Sequence, residues 1–256
     1  MFRHRLQAAV SWRTHFDWFL LSFIAGSVNA GGYLAAHRFV SHVTGFATLF
    51  GVDAAVGKWD QALGILSVPL FFLIGVMISA YLVDRRANRG QRPRYALVMS
   101  LVCLCLIVAA VGGYFNLFGR FGHDPRLSQD YFLLALLCAA SGLQNAAVST
   151  ASGATVRTTH LTGLTTDLGT GLVRAFFDKK LYADEMKAIR LRLGTILSFA
   201  LGSAVGAYCY FKFDYLGFLL PAGLAAFTVF EARRPLRRLK RMKELKKTVA
   251  VEPQHV

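Results

Sequence analysis

The chain is poor in acidic residues: 14 Asp and Glu stand against 29 Lys and Arg, giving a formal net charge of +15. Such a surplus can indicate nucleic-acid binding, but Lys and Arg also accumulate in the cytoplasmic loops of membrane proteins. Here the positive charges are concentrated at residues 85–94, at 178–192 and in the tail 233–256, between or beyond long apolar stretches. We therefore expect no nucleic-acid partner, and we expect anionic lipid to contact the basic tail.

Cysteine and catalytic motifs are also scarce. The four cysteines all lie in apolar stretches without metal-ligand spacing, so we expect neither a disulfide framework nor a metal site. No G-x-S-x-G, H-E-x-x-H or P-loop pattern occurs, and we expect no enzymatic activity and no cofactor. The basic residues 1–15 precede a stretch without a small-residue cleavage site, which argues against a cleavable signal peptide.

Long apolar runs dominate the rest of the chain, which is 55% hydrophobic with a mean hydropathy of +0.44. Runs of about 20 apolar residues are typical of membrane-spanning helices. The candidate spans are 16–36, 62–83, 95–117, 130–151, 190–211 and 213–232, with two more polar segments at 39–57 and 159–177. The sequence therefore predicts an all-α fold, a polytopic transmembrane helical bundle.

Two parts of the sequence resemble each other. Residues 26–51 contain G-S-V-N and H-V-T-G-F-A-T-L-F-G, and residues 142–169 contain G-L-Q-N and H-L-T-G-L-T-T-D-L-G. Membrane proteins with two internal repeats commonly build a solute path at the interface between the repeats. We therefore expect two internal repeats that share a functional site.

The basic clusters constrain how the two motif segments, 39–57 and 159–177, lie in the membrane. If both crossed it fully, the arginines of 85–94 would lie on the side opposite to the other basic clusters, against the positive-inside rule. If each enters and leaves on one side, six full spans remain, all basic clusters are cytoplasmic and the repeats have inverted topology. We favour this arrangement, with broken or re-entrant motif segments, over eight full spans and parallel repeats.

The corresponding division of the chain has five parts. They are a cytoplasmic basic N-terminus (1–15), a first membrane repeat (16–117), a loop (118–129), a second membrane repeat (130–232) and a basic cytoplasmic tail (233–256).

Each motif segment has one helical face of small and hydroxyl-bearing residues. The faces contain Thr44, Thr48 and Gly51 in the first segment and Thr162, Thr166 and Gly169 in the second. Such a face can serve helix packing or line a solute path, and the spacing leaves both open. Ser41 and Thr158 or Thr159 are candidate N-caps, which would place helix N-termini, suited to an anionic or polar solute, at the motifs.

Polar residues inside apolar sequence complete the candidate site. His42 and His160 occupy matching positions, and the amides of Asn29 and Asn145 require partners at membrane depth. Asp167 is a candidate for proton coupling or for an ion pair with Arg174 or Arg157. The predicted solute-binding residues are Asn29, His42, Thr44, Gly45, Thr48, Gln144, Asn145, His160, Thr162, Gly163, Thr166 and Asp167.

The motifs G-S-V-N-A, S-H-V-T-G, G-L-Q-N-A and T-H-L-T-G-L-T-T-D-L resemble those of the YoaK-like family of uncharacterised bacterial membrane proteins (domain of unknown function 1275). The resemblance covers roughly residues 16–230. It implies a multi-pass protein of the bacterial inner membrane, and it supplies no substrate. Family members often carry Asp where Asn29 stands and Asn where Phe46 stands, which puts ion coupling through the first repeat in doubt.

Together these features predict an integral membrane transporter or channel for a small polar or anionic solute, with both termini cytoplasmic. An oligomer is compatible with the sequence. The alternative is a non-transporting membrane scaffold or regulatory protein, in which the repeats serve packing alone.

Overall fold

The computed structural model of the chain describes residues 12–122, 128–152, 159–178 and 181–232. Within these ranges the chain is helical apart from short connections and contains no strand, which confirms the predicted all-α class. The helices are α1 (Trp12–Ala36), α2 (Val43–Ala55), α3 (Trp59–Leu82), α4 (Asp84–Asn88), α5 (Tyr95–Tyr114), α6 (Ser128–Ala151), α7 (Leu161–Phe177), α8 (Tyr182–Phe213) and α9 (219–232), with a 3-10 turn at Asp214–Phe218. The predictions for residues 1–11 and for the tail 233–256 lie outside the described residues.

Five described stretches are long and apolar enough to cross a membrane. They are Phe16–Ala36, Trp59–Asn88, Tyr95–Tyr114, Tyr131–Ala151 and Tyr182–Ala232. The last stretch contains two helices, α8 and α9. They are separate helices because the backbone reverses at Asp214, where φ is 48°. By contrast α2 has 13 residues, or about 20 Å of helix, which is shorter than the roughly 30 Å of a hydrocarbon core.

Helix α8 begins at Tyr182, earlier than the predicted span boundary at 190. The extra residues are polar, and an ion-pair cluster holds them in place. Glu185 pairs with Arg192 on its own helix at 3.7 Å and with Arg174 of α7 at 3.4 Å. These charged residues lower the hydropathy of the segment 182–189, so the sequence predicted the start of the span at 190. The helix itself continues through them.

Helices α1 and α8 run parallel and touch backbone to backbone. Phe19 packs against Gly194 near one end, and Gly31 packs against Tyr210 near the other. Between these contacts, a Cβ atom built on Gly26 would overlap the carbonyl oxygen of Phe199. The absence of side chains at the crossing therefore determines how closely the two helices approach.

Helices α3 and α6 form a second parallel pair with the same type of contact. A Cβ atom on Gly142 would overlap the carbonyl oxygen of Phe72, and a Cβ atom on Gly75 would overlap that of Ala139. Gly142 corresponds to Gly26 in the sequence comparison. The two glycines thus make equivalent contacts in the two helix pairs.

Helices α1 and α6 connect the two pairs and run antiparallel. Near the start of α1, the Gln144 side-chain amide donates a hydrogen bond to the carbonyl of Leu21 at 2.7 Å. At its other end, Gly122, which precedes α6, donates its backbone N–H to the carbonyl of Ala35 at 3.3 Å. The end of α1 therefore lies at the level of the start of α6.

Helices α5 and α9 pack beside the four helices α8, α1, α6 and α3. Tyr215 lies against Gly113 at the end of α5, and the thiol of Cys103 donates to the carbonyl of Ala222 at 3.4 Å. The contacts proceed in opposite directions along the two helices, so α9 is antiparallel to α5.

These helix directions define the two ends of the bundle. The basic face contains the start of α1, the connection 83–94 and the start of α8; the opposite face contains the end of α1, the turn 56–58 and the 3-10 turn. The arginines of 85–94 and the start of α1 consequently lie at the same end of the molecule.

We expect Gly142→Ala to lower the free energy of unfolding by about 1–3 kcal/mol, because the added methyl group meets backbone that cannot move without separating α3 from α6. Thermal unfolding of the purified protein in detergent measures the effect. Gly223→Ala in α9 is the matched control, since it also adds a methyl group within a helix and no atom lies within 4 Å of the added Cβ atom there. Equal losses in both variants would contradict the close crossing.

Candidate functional site

The chain between α1 and α2 turns back along α1. The Cys138 thiol donates a hydrogen bond to the carbonyl of Val40 at 3.0 Å, and the Ser41 hydroxyl donates to the Asn29 side-chain carbonyl at 3.1 Å. Asn29 lies about two turns, on the order of 10 Å, before the end of α1. Helix α2 therefore begins at mid-depth and returns to the face at which α1 ended.

The second motif segment has the corresponding arrangement at the basic face. Thr159 is buried and shares a small cavity with Ala25 and Ser141, at the middle of α1 and α6. From there α7 runs antiparallel to the start of α8, as the pair between Arg174 and Glu185 shows. Residues 153–158 lie outside the described part of the chain. Helix α7 thus also begins at mid-depth, and it returns to the face at which α6 ended.

Two of the predicted N-caps, Ser41 and Thr159, are wrong by one residue, and the third candidate, Thr158, lies outside the described residues. His42 and His160 occupy the N-cap positions of α2 and α7, and neither side chain accepts a capping hydrogen bond. Ser41 cannot cap because its hydroxyl is directed to Asn29. Neither N-cap side chain therefore satisfies the first backbone N–H groups of its helix, and each helix N-terminus carries a partial positive charge.

The centre of the bundle holds polar side chains whose pairing differs between the two halves. Asn29 and Ser41 are hydrogen-bonded to each other, whereas the corresponding atoms Asn145 Oδ1 and Thr159 Oγ1 are buried without a hydrogen-bond partner among the described residues. The cavity beside Thr159 is about 10 Å³, enough for the centre of a single water molecule. Between the described residues of α1 and α6 there is therefore no room for a larger solute.

The small-residue faces of both motif helices point away from this centre. Thr44, Thr48, Thr162 and Thr166 are exposed, as are the glycines of both faces. Thr48 donates its hydroxyl to the carbonyl of Thr44 at 3.1 Å, and Thr166 donates to that of Thr162 at 3.0 Å. The hydroxyls of Thr48 and Thr166 are thus satisfied within their own helices, and no described residue covers the surface next to them.

Asp167 lies on the exposed face of α7 and makes no ion pair with any described residue. The predicted pairing with Arg174 is wrong, because Arg174 is directed to Glu185 at 3.4 Å. The other predicted partner, Arg157, lies outside the described residues. Asp167 is therefore an accessible carboxylate, six residues into a helix that begins at mid-depth.

The predicted site residues fall into two groups that the structure keeps apart. The buried group contains Asn29, Gln144 and Asn145. The exposed group contains His42, Thr44, Gly45, Thr48, His160, Thr162, Gly163, Thr166 and Asp167. Ser41 and Thr159 also belong to the buried group, although the sequence did not predict them as site residues. In both motif copies a hydroxyl-bearing residue precedes the histidine, and this shared position could have identified them.

These features define a polytopic helical membrane protein in which two short helices start at mid-depth. Among the described residues, no cluster of three or more His, Cys, Asp or Glu side chains is arranged to hold a metal ion. A family model described as a protein of unknown function (DUF1275) matches residues 18–230, and the chain belongs to that family. No similar protein was found among curated proteins, and no similar chain was found among solved structures.

Ser41→Ala and Thr159→Val should have opposite effects on stability. Removing the Ser41 hydroxyl leaves Asn29 Oδ1 buried and unpaired, which we expect to cost about 1–3 kcal/mol of unfolding free energy. Thr159→Val keeps the side-chain shape and removes a hydroxyl that has no partner among the described residues, so stability should stay equal or rise. Thermal unfolding in detergent measures both. A larger loss at Thr159 than at Ser41 would contradict the difference between the two halves.

Proposed function

We propose that this protein is an integral membrane transporter or channel for a small polar or anionic solute. The observation that carries the proposal is the pair of motif segments, each of which enters and leaves at one end of the bundle. Each also begins its helix at mid-depth, after an N-cap histidine whose side chain makes no capping hydrogen bond. Non-helical backbone at membrane depth is tolerated where it is buried in protein or lines a water-filled cavity, and helix N-termini favour anions.

The same proposal includes two inverted repeats. Helices α1 and α6 carry the matching motifs and run antiparallel, and the glycine contacts of the pair α1 and α8 recur in the pair α6 and α3. A two-fold axis in the membrane plane relates two such halves, with α2 entering from one face and α7 from the other. This arrangement is typical of transporters that bind solute near the midplane.

We place the basic face in the cytoplasm of a bacterium and the bundle in its inner membrane. Arg85, Arg86, Arg89, Arg92 and Arg94 all lie in the connection at this face. Cytoplasmic loops of membrane proteins are enriched in Lys and Arg, which supports this orientation. Because α1 starts and α9 ends at the same face, both chain termini would be cytoplasmic.

The solute path in this proposal follows the exposed faces of α2 and α7 instead of the closed contact between α1 and α6. Asp167 is six residues, or about 9 Å, from the start of α7, well within the roughly 15 Å half-thickness of a hydrocarbon core. An ionisable side chain at that depth is costly against lipid. We infer that a second copy of the chain covers these faces and completes the path.

A non-transporting scaffold is the second candidate, and one observation favours it. The hydroxyls of Thr48 and Thr166 are bonded within their own helices, and a Cβ atom on Gly51 or Gly169 would meet no atom within 4 Å. Small faces with internally satisfied hydroxyls are also suited to close helix packing. In that case the second copy would cover the faces without leaving a path.

Flux through proteoliposomes separates the two candidates. Vesicles that contain the full chain are mixed with a hyperosmotic solution of urea, sodium nitrate or sodium phosphate. Light scattering then follows the change in vesicle volume. We expect at least one solute to enter these vesicles faster than it enters vesicles without protein. The double variant Thr44→Val and Thr162→Val removes one motif hydroxyl from each half, and we expect it to lower that rate of entry at least tenfold. Each copy of the chain should still fold, because neither threonine side chain is buried within one copy.

Thr228→Val is the control, since it makes the same substitution in α9, away from the motif helices. Its flux should equal that of the unmodified chain. Unchanged flux in the folded double variant would overturn the assignment of the site, and absence of flux for all three solutes would favour the scaffold.

A further inference from the structure

A cavity surrounded by arginines lies at the basic face, in the connection between α3 and α5. Its volume is about 320 Å³, within the range of small-ligand sites. We call it the arginine cavity; its lining residues are Tyr81, Leu82, Arg85, Arg86, Arg89, Gln91 and Arg94. It is separate from the motif helices, so binding of a ligand there does not require transport.

Backbone hydrogen bonds hold the connection in a defined shape. Gln91 donates its N–H to the carbonyl of Arg86 at 2.9 Å, around a turn at Gly90 with φ of 66°. Arg94 donates its N–H to the carbonyl of Leu82 at 3.1 Å, which ties the start of α5 to the end of α3. The arginine side chains therefore extend from a closed loop with fixed geometry.

Two of the guanidinium groups are also positioned by neighbours. Arg86 donates from Nε to the carbonyl of Arg92 at 3.0 Å, and the Arg85 guanidinium lies 4.7 Å from the centre of the Tyr81 ring. These contacts orient the groups without neutralising them. The nearby acid, Asp84, accepts a hydrogen bond from Asn88 at 3.4 Å instead.

No arginine of the cavity forms an ion pair with a described carboxylate. Arg89 and Arg94 have no side-chain hydrogen bond to the described residues either. Four positive charges thus surround one concave space and repel one another. A multivalent anion with several acceptor oxygens would relieve that repulsion, and guanidinium groups match phosphate oxygens in geometry.

The level of the cavity indicates where such an anion would come from. Tyr81, in the last turn of α3, is 60% exposed, and aromatic side chains of this kind concentrate at the membrane–water interface. Lipid phosphates occupy the same level. We propose that the arginine cavity binds the phosphate group of an anionic ligand, with the headgroup of an anionic phospholipid as its expected source.

The test uses the full chain in detergent at physiological salt, with native mass spectrometry and thermal unfolding as readouts. One arm adds phosphatidylglycerol, a second adds inorganic phosphate, and a third adds phosphatidylcholine as a neutral lipid. We expect phosphatidylglycerol to bind and to raise the unfolding temperature. The double variant Arg89→Gln and Arg94→Gln should bind it at least tenfold more weakly, because these unpartnered guanidinium groups would contact the phosphate.

Arg120→Gln combined with Arg190→Gln is the matched control. It removes the same charge from exposed arginines outside the cavity, one of them near the opposite face and one near the basic face. Binding of phosphatidylglycerol alone supports a lipid headgroup, and equal binding of inorganic phosphate supports a free phosphate ligand. No binding of either phosphate ligand, equal binding of phosphatidylcholine, or an equal loss in the control variant would overturn the proposal.

Discussion

The structure depends on backbone contact between parallel helices, made possible by glycine. Lipid is as apolar as the helices, so burial of apolar surface does little to hold them together in a membrane, and close packing becomes decisive. Gly26 opposite Phe199, and Gly142 opposite Phe72, bring α1 to α8 and α6 to α3 until main-chain atoms touch. With both pairs fixed in this way, α1 and α6 are left side by side and antiparallel at the centre.

That central pair gives the motif segments their positions. Asn29 on α1 holds Ser41, and the middle of α1 and α6 surrounds Thr159, so both chain segments extend inward before their helices begin. The helices then return along α3 and α8 to the faces from which the segments came. Buried amides, helix N-termini at mid-depth and exposed threonine faces thus follow from one arrangement of four long helices.

The sequence predicted the fold class, and it distinguished the two motif segments from the long spans. Both predictions were possible because the hydropathy and charge of a segment depend on whether it lies in the membrane. It could not predict which way Thr44 and Thr162 face. Helical spacing identifies residues that share a face, but the neighbour of that face depends on packing between distant helices. The misassigned N-cap at Ser41 and the missed partner of Arg174 have the same cause: Asn29 and Glu185 reach them through tertiary contacts.

The central claim is that the motif segments enter and leave on one side of the membrane, and cysteine accessibility around the first segment tests it most directly. His37→Cys, Lys58→Cys and Arg89→Cys are made separately in a chain whose native cysteines are replaced by alanine, and a membrane-impermeant thiol reagent is applied to intact cells. Our account predicts that residues 37 and 58, which precede and follow α2, are both labelled, and that residue 89 reacts only after permeabilisation. Labelling of only one of residues 37 and 58 would mean that α2 crosses the membrane, and it would contradict the inverted arrangement.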